Sequence, residues 1–201
     1  MDWLYYENLF MSKGFKYVCG VDEAGRGPLA GPVYAAAVIL PRETVIEGVN
    51  DSKKITEKKR EYLFDIIKEK SLSWNISFAT VHEIDEMNIL KATFLAMKRA
   101  IEGLKIKPDF ALIDGNRLPD IDISCEAVVK GDALSESIAC ASVLAKVERD
   151  RYMKKEADKY PEYFFQKHKG YGTKLHIEAL KKYGPCEIHR KTFLKKILSH
   201  E

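Results

Sequence analysis

Cysteine is scarce and unpatterned in this 201-residue chain. Cys19, Cys125, Cys140 and Cys186 occur without CxxC or CxxH spacing, which argues against a disulfide frame or zinc site and for reduced thiols. Glycine and proline are few, 12 and 7, and there is no repeat or low-complexity tract. Disorder over most of the length is therefore not expected. No apolar run reaches membrane-spanning length, and the acidic, aromatic first ten residues lack the basic start of a secretory signal. These absences predict a soluble, cytoplasmic protein with no membrane partner. With 46% hydrophobic and 31% charged residues, the chain can bury a full core.

A large net charge is also lacking, but +3 overall conceals an asymmetry. From Lys146 onward there are 15 Lys and Arg against 8 Asp and Glu, a net of +7, whereas the first 145 residues carry −4. A basic end on an acidic body suits metals on one part and a polyanion on the other; for charge alone, a solvated basic helical surface is the simpler explanation.

What is present is a sequence of short apolar runs ending in acids. Strands are predicted at 17–22, 33–40, 73–81, 109–114 and 123–130, with 33–40 apolar throughout and so buried on both faces. Helices are predicted at 3–10, from Thr56 as cap to about residue 70, at 88–102, and from about 133 to 160. Small residues Ala139, Ala141, Ser142 and Ala145 let that last helix lie close to a sheet. Beyond Pro161 the chain turns aromatic, basic and loop-punctuated, which divides it into a body, 1–160, and a C-terminal helical appendage, 161–201. The pattern implies an α/β fold with a mixed sheet flanked by helices.

In open α/β sheets, sites form beyond the strand ends, and three predicted strands end in acids: Asp22-Glu23, Asp114 and Asp132. Asp132 can instead be the N-cap of its helix, and Asp114 before Gly115-Asn116 can be a turn former. Asp22-Glu23 has no such local explanation. If the strand ends are neighbours, four carboxylates converge, and their repulsion calls for divalent cations. Oxygen-only ligands favour Mg²⁺ or Mn²⁺ over zinc. Two such ions roughly 3.5–4 Å apart can activate a water and stabilise a leaving 3′-oxygen. Consecutive strand residues face opposite ways, so a bend at Ala24-Gly25 is expected to re-aim Glu23.

The block Asp22-Glu23-Ala24-Gly25-Arg26-Gly27-Pro28 is similar to the signature of type 2 ribonucleases H, in particular the bacterial ribonuclease HII family. The resemblance continues, in the family's order, through Asn50-Asp51-Ser52-Lys53-Lys54, Ile113-Asp114-Gly115-Asn116, Lys130-Gly131-Asp132 and Ala145-Lys146-Val147-Glu148-Arg149-Asp150. It ends with Lys169-Gly170-Tyr171-Gly172-Thr173 and His189-Arg190-Lys191-Thr192-Phe193. It implies a ribonuclease H-like fold with a five-stranded mixed sheet and a C-terminal helical appendage. It implies endonucleolytic, two-metal-ion cleavage of RNA in RNA–DNA hybrids and on the 5′ side of single ribonucleotides in duplex DNA. The ends would be 3′-hydroxyl and 5′-phosphate, the context ribonucleotide excision repair.

By the same resemblance Asp22, Glu23, Asp114 and Asp132 are the catalytic, metal-binding positions. Gly25, Arg26 and Gly27 form the ribonucleotide-sensing loop, and Tyr171 reads the RNA–DNA junction. Lys53, Lys146, Lys169 and Arg190 are candidate phosphate contacts, though each can be a plain surface cation; Tyr171 can equally be a core aromatic. Gly-Arg-Gly at 25–27 sets the chain apart from the sister ribonucleases HIII. No sliding-clamp peptide is visible, and a monomer is the expectation. A non-catalytic hybrid-binding module and a DNA junction nuclease are the competing readings.

Overall fold

The computed structural model describes residues 2–49 and 55–198. The chain runs α1 (Tyr5–Ser12), β1 (Val18–Ala24), β2 (Val33–Ile39), α2 (Glu57–Lys70), β3 (Ser73–Ala79), α3 (Val81–Met87), α4 (Ile89–Glu102), β4 (Phe110–Asp114), β5 (Ser124–Val128), α5 (Glu136–Lys159), α6 (Phe165–His168), α7 (Lys174–Tyr183) and α8 (Lys191–Leu198). The five strands form one sheet in the order β3-β2-β1-β4-β5. β1 runs antiparallel to β2 and parallel to β4, so the sheet is mixed, as expected.

Helices cover both faces because the central strands are apolar on both. One face of β1 and β2 (Cys19, Val21, Ala35, Ala37) packs against Ala92, Ala96, Met97 and Ala100 of α4. The opposite face meets α5 through Ala139, Val143 and Leu144, and α2 through Leu63, Phe64 and Ile67. The contact with α5 is very close. A Cβ on Gly20 of β1 would sit 2.2 Å from the carbonyl carbon of Ser137, so only hydrogen fits there.

A further apolar cluster joins Tyr163, Phe165, Leu180 and Leu194 of the C-terminal region to Leu29, Ala30, Met153 and Ala157. The C-terminal helices therefore rest on the loop between β1 and β2 and on the far end of α5.

Several predicted boundaries move: the first strand runs on to Ala24 instead of ending at residue 22, and the fifth stops at Val128 instead of residue 130. The third strand stops at Ala79, because Thr80 and Glu83 form a capping box that opens α3, a helix hidden in the expected strand end. The first helix begins at Tyr5 rather than residue 3. The long helix starts at Glu136, capped by Ser135, after a 3₁₀ turn over residues 131–133. Among the described residues no helix is long and apolar enough to cross a membrane.

Candidate active site

The pairing of β1 with β4 brings two of the acids together. Gly20 lies opposite Leu112 in this parallel ladder, so two residues further on Asp22 comes beside Asp114, on the same face. That face is the one α5 covers. Asp22 is only 5% exposed; its Oδ1 accepts the Glu23 amide at 2.6 Å, and the Ser142 side chain of α5 hydrogen-bonds to it. Burial first, and then the charges of Glu23 and Asp114, push the Asp22 carboxyl well above the ordinary aspartate range.

Glu23 is not re-aimed by a bend. The ladder with β2 continues regularly through Glu23 and Ala24, so Glu23 keeps the opposite face, where Arg26 Nη1 stands 3.3 Å from its Oε1. It reaches the site by lying at the rim of the sheet. A cleft of about 190 Å³ is lined by Asp22, Glu23, Gly25, Asp114, Ser142, Lys146 and Tyr171. A neighbouring cleft of about 370 Å³ holds Glu23, Arg26, Asp114, Asn116 and Arg117. Glu23 and Asp114 form the wall between the two.

Asp114 Oδ1 accepts the Gly131 amide at 2.6 Å, which pulls the turn after β5 against the end of β4. Asp132 follows directly in that turn and is 8% exposed. It is not the helix cap, because Ser135 accepts the Ile138 amide in that role. Asp22, Glu23 and Asp114 thus line one cleft, while Asp132 sits in the adjoining turn and is not among the residues that line either cleft; among the described residues, no three carboxylate, imidazole or thiol groups already stand as a ligand cluster.

The cationic and aromatic candidates separate. Lys146 lines the smaller cleft and pairs with Asp150 at 2.7 Å. Lys169 Nζ donates to the Gln166 carbonyl at 2.6 Å. Tyr171 is 45% exposed, so it is not a core aromatic, and a Cβ on Gly27 would lie 3.8 Å from its ring. Lys53 lies outside the described residues.

Arg190 departs from expectation: at 0% exposure it cannot meet a phosphate from this position. Its guanidinium donates instead to the carbonyls of Gly31, Arg26 and Gly25, at 2.9, 2.8 and 2.6 Å. Sequence reasoning also missed Ser142 and Arg117 as cleft residues. The signal for Ser142 was its spacing four residues before Lys146 on one helical face; that for Arg117 was its place in the turn after Asp114.

Residues 19–196 match the family model described as Ribonuclease HII. The chain belongs to the ribonuclease HII family. A Ribonuclease HII from Caldicellulosiruptor bescii is 59% identical over 193 residues, covering 96% of this chain and 94% of that protein. One from Clostridioides difficile is 56% identical over 96% of this chain and 76% of that protein. The crystal structure of the ribonuclease H2 from Pyrococcus horikoshii OT3 superposes with a TM-score of 0.76 at 31% identity, covering 92% and 98% of the two chains. Membership makes the chain a ribonuclease H nuclease with the ribonuclease H-like fold, and it retires the reading as a non-catalytic binding module.

Proposed function

We propose that this ribonuclease HII family member hydrolyses the RNA strand of RNA–DNA hybrids and cuts on the 5′ side of single ribonucleotides embedded in duplex DNA, leaving 3′-hydroxyl and 5′-phosphate ends. The observation that carries the reading is the cleft where Asp22, Glu23 and Asp114 meet Gly25 and Tyr171. It joins acids to groups that can test a sugar. A 2′-hydroxyl both donates and accepts, and it is the one feature that marks a ribonucleotide within a DNA strand. Backbone groups of the Gly25-Arg26-Gly27 loop can reach it, Arg26 can hold an adjacent phosphate, and the exposed Tyr171 ring can stack on the neighbouring sugar or base.

The donor set fits two divalent ions. Asp22 is a buried carboxyl beside two others, a costly arrangement when ionised, and all the donors are oxygens, which suits Mg²⁺ or Mn²⁺. Asp22, Glu23, Asp114 and Asp132 would hold them, and ions so held would supply an activated water and stabilise the leaving 3′-oxygen. Ser142, by bonding to Asp22, fixes that carboxyl's direction. We assign Lys146 and Lys169 to the phosphate backbone and residues 161–201 to a nucleic-acid-contacting subdomain. Four free thiols accord with a cytoplasmic setting.

The test is a duplex carrying one ribonucleotide, incubated with Mg²⁺, with Mn²⁺ and with chelator. Cleavage should need the metal, and Asp22→Asn or Asp114→Asn should reduce it by about a hundred- to a thousandfold, the scale of losing one charge-stabilising group at a reacting centre. Robust cutting by either variant, or equal cutting of an all-DNA duplex, would refute the assignment.

A further inference from the structure

Two arginines whose guanidinium groups donate to backbone carbonyls lie buried behind the Gly25-Arg26-Gly27 loop. Arg149, on α5, donates to the carbonyls of Pro32, Ala30 and Lys169 at 3.2, 3.1 and 3.0 Å. Arg190 takes those of Gly25, Arg26 and Gly31. A buried guanidinium is costly unless its donors are satisfied, and here six backbone carbonyls satisfy the pair. The two cations lie close enough that Arg149 adds to burial in pushing Arg190 down to about 9. Arg149 also explains Gly25, whose φ is +99° and whose Cβ would fall 2.0 Å from Arg149 Nε. That glycine leaves room for the arginine rather than for a ligand.

Turning those carbonyls inward has a consequence outward. In a planar trans peptide the N–H points opposite to the preceding C=O. With the Gly25 and Arg26 carbonyls held on Arg190, the amides of Arg26 and Gly27 face away from it, and among the described residues neither has a hydrogen-bond acceptor. Leu29 and Gly31, by contrast, donate to Gly170 and Ile188. Two successive free amides backed by buried positive charge make a receptor for an anion or a hydroxyl oxygen. Arg149 extends the hold to the Lys169 carbonyl, two residues before Tyr171.

We propose that Arg149 and Arg190 are positioning residues that aim the Arg26 and Gly27 amides and the Tyr171 ring at one ribonucleotide, so that they set selectivity for an isolated ribonucleotide without touching substrate. This deepens the functional reading above and rests on it. On a continuous hybrid every register offers a 2′-hydroxyl, so a displaced loop still meets one. In a DNA strand with a single ribonucleotide only one register serves.

Arg149→Lys and Arg190→Lys test this, since lysine keeps the charge but lacks the planar guanidinium whose three nitrogens reach three separate carbonyls. Relative to wild type, kcat/KM on the single-ribonucleotide duplex should fall about tenfold further than on an all-RNA hybrid strand, the loss of about one well-made hydrogen bond. Mn²⁺ affinity by calorimetry should stay within about twofold, because the acids are untouched. Equal losses on both substrates, or none, would overturn the clamp. A wild-type enzyme that cuts the hybrid but spares the single-ribonucleotide duplex would instead overturn the functional reading. Should the variants not fold, amide exchange on wild-type protein decides. The Arg26 and Gly27 amides should exchange freely alone and slow at saturating single-ribonucleotide duplex in chelator. Protection without duplex, or none with it, sinks the proposal.

Discussion

Replacing Glu136 by Gln should stabilise the protein at alkaline pH and do little at acid pH. Glu136 opens α5 with no solvent exposure. Its Oε1 accepts the Ile46 amide at 2.7 Å, while its Oε2 is buried without a partner. Glu7 stands close by, its Oε1 taken up by the hydroxyls of Ser135 and Ser137 and the Ser137 amide. Burial, the larger cause, and the charge of Glu7 outweigh the Ile46 amide and push Glu136 from 4.5 up to about 7. A carboxyl raised in the folded state holds its proton more tightly there than in the unfolded chain. Its ionisation therefore costs the native state alone: stability declines as pH rises from about 4.5 through 7, and the loss is complete above. At about 1.36 kcal/mol per pH unit the loss is capped near 3.4 kcal/mol, and water relaxing around the ionised group trims it to about 2 kcal/mol. Glutamine keeps the acceptor for Ile46 and removes the charge. Urea unfolding of both proteins from pH 5 to 8 should show near-equality, within about 1 kcal/mol, at pH 5. At pH 8 the variant should be ahead by about 2 kcal/mol, or about 4–8 °C in Tm for a chain of this size. Titrating groups other than the neighbouring Glu7 are common to both proteins and cancel. A difference that stays constant across the range would refute the reasoning.

Tyr171→Ala should cut kcat/KM at isolated ribonucleotides by about 5- to 150-fold, the worth of about 1–3 kcal/mol of stacking, with Mn²⁺ affinity retained; weakened metal binding in calorimetry would contradict this. Gly20→Ala should cost about 3 kcal/mol, because its Cβ meets the α5 backbone at 2.2 Å rather than a yielding side chain, and an unchanged unfolding midpoint would show that helix and strand can part. Burial holds His176 and His189 down to about 4, so stability present above pH 6.5 should be lost as pH falls toward 4. His189→Gln should make that acid limb shallower, and an identical limb would count against the pair.

The strands and the three long helices α2, α4 and α5 were legible because each announces itself locally, by period or by a cap such as Thr56, which accepts the Lys59 amide as expected. The convergence of Asp22 and Asp114 was legible only as far as a shared strand-end position; the register that sets Gly20 against Leu112 is what makes them neighbours. Glu23 was misjudged because an unbroken ladder and a rim position can do what a bend was expected to do. α3 was hidden because an apolar residue followed by a capping box reads, until the box is noticed, as the tail of a strand.

Arg190 shows most clearly why side-chain roles resist such reading. A cation in a basic tail looks like a phosphate contact, and nothing nearby in the chain says otherwise. Its three acceptors lie 159 to 165 residues away in sequence, so its role exists only once β1, its loop and the C-terminal helices are assembled. The two glycines around Arg26 divide in the same way. Gly25 is required by Arg149 on its inner side, whereas a Cβ on Gly27 meets nothing nearer than the Tyr171 ring. One glycine therefore belongs to the scaffold and the other to the open cleft, although the sequence writes them alike. A methyl group at position 27 should consequently trouble substrate far more than folding, and one at position 25 the reverse.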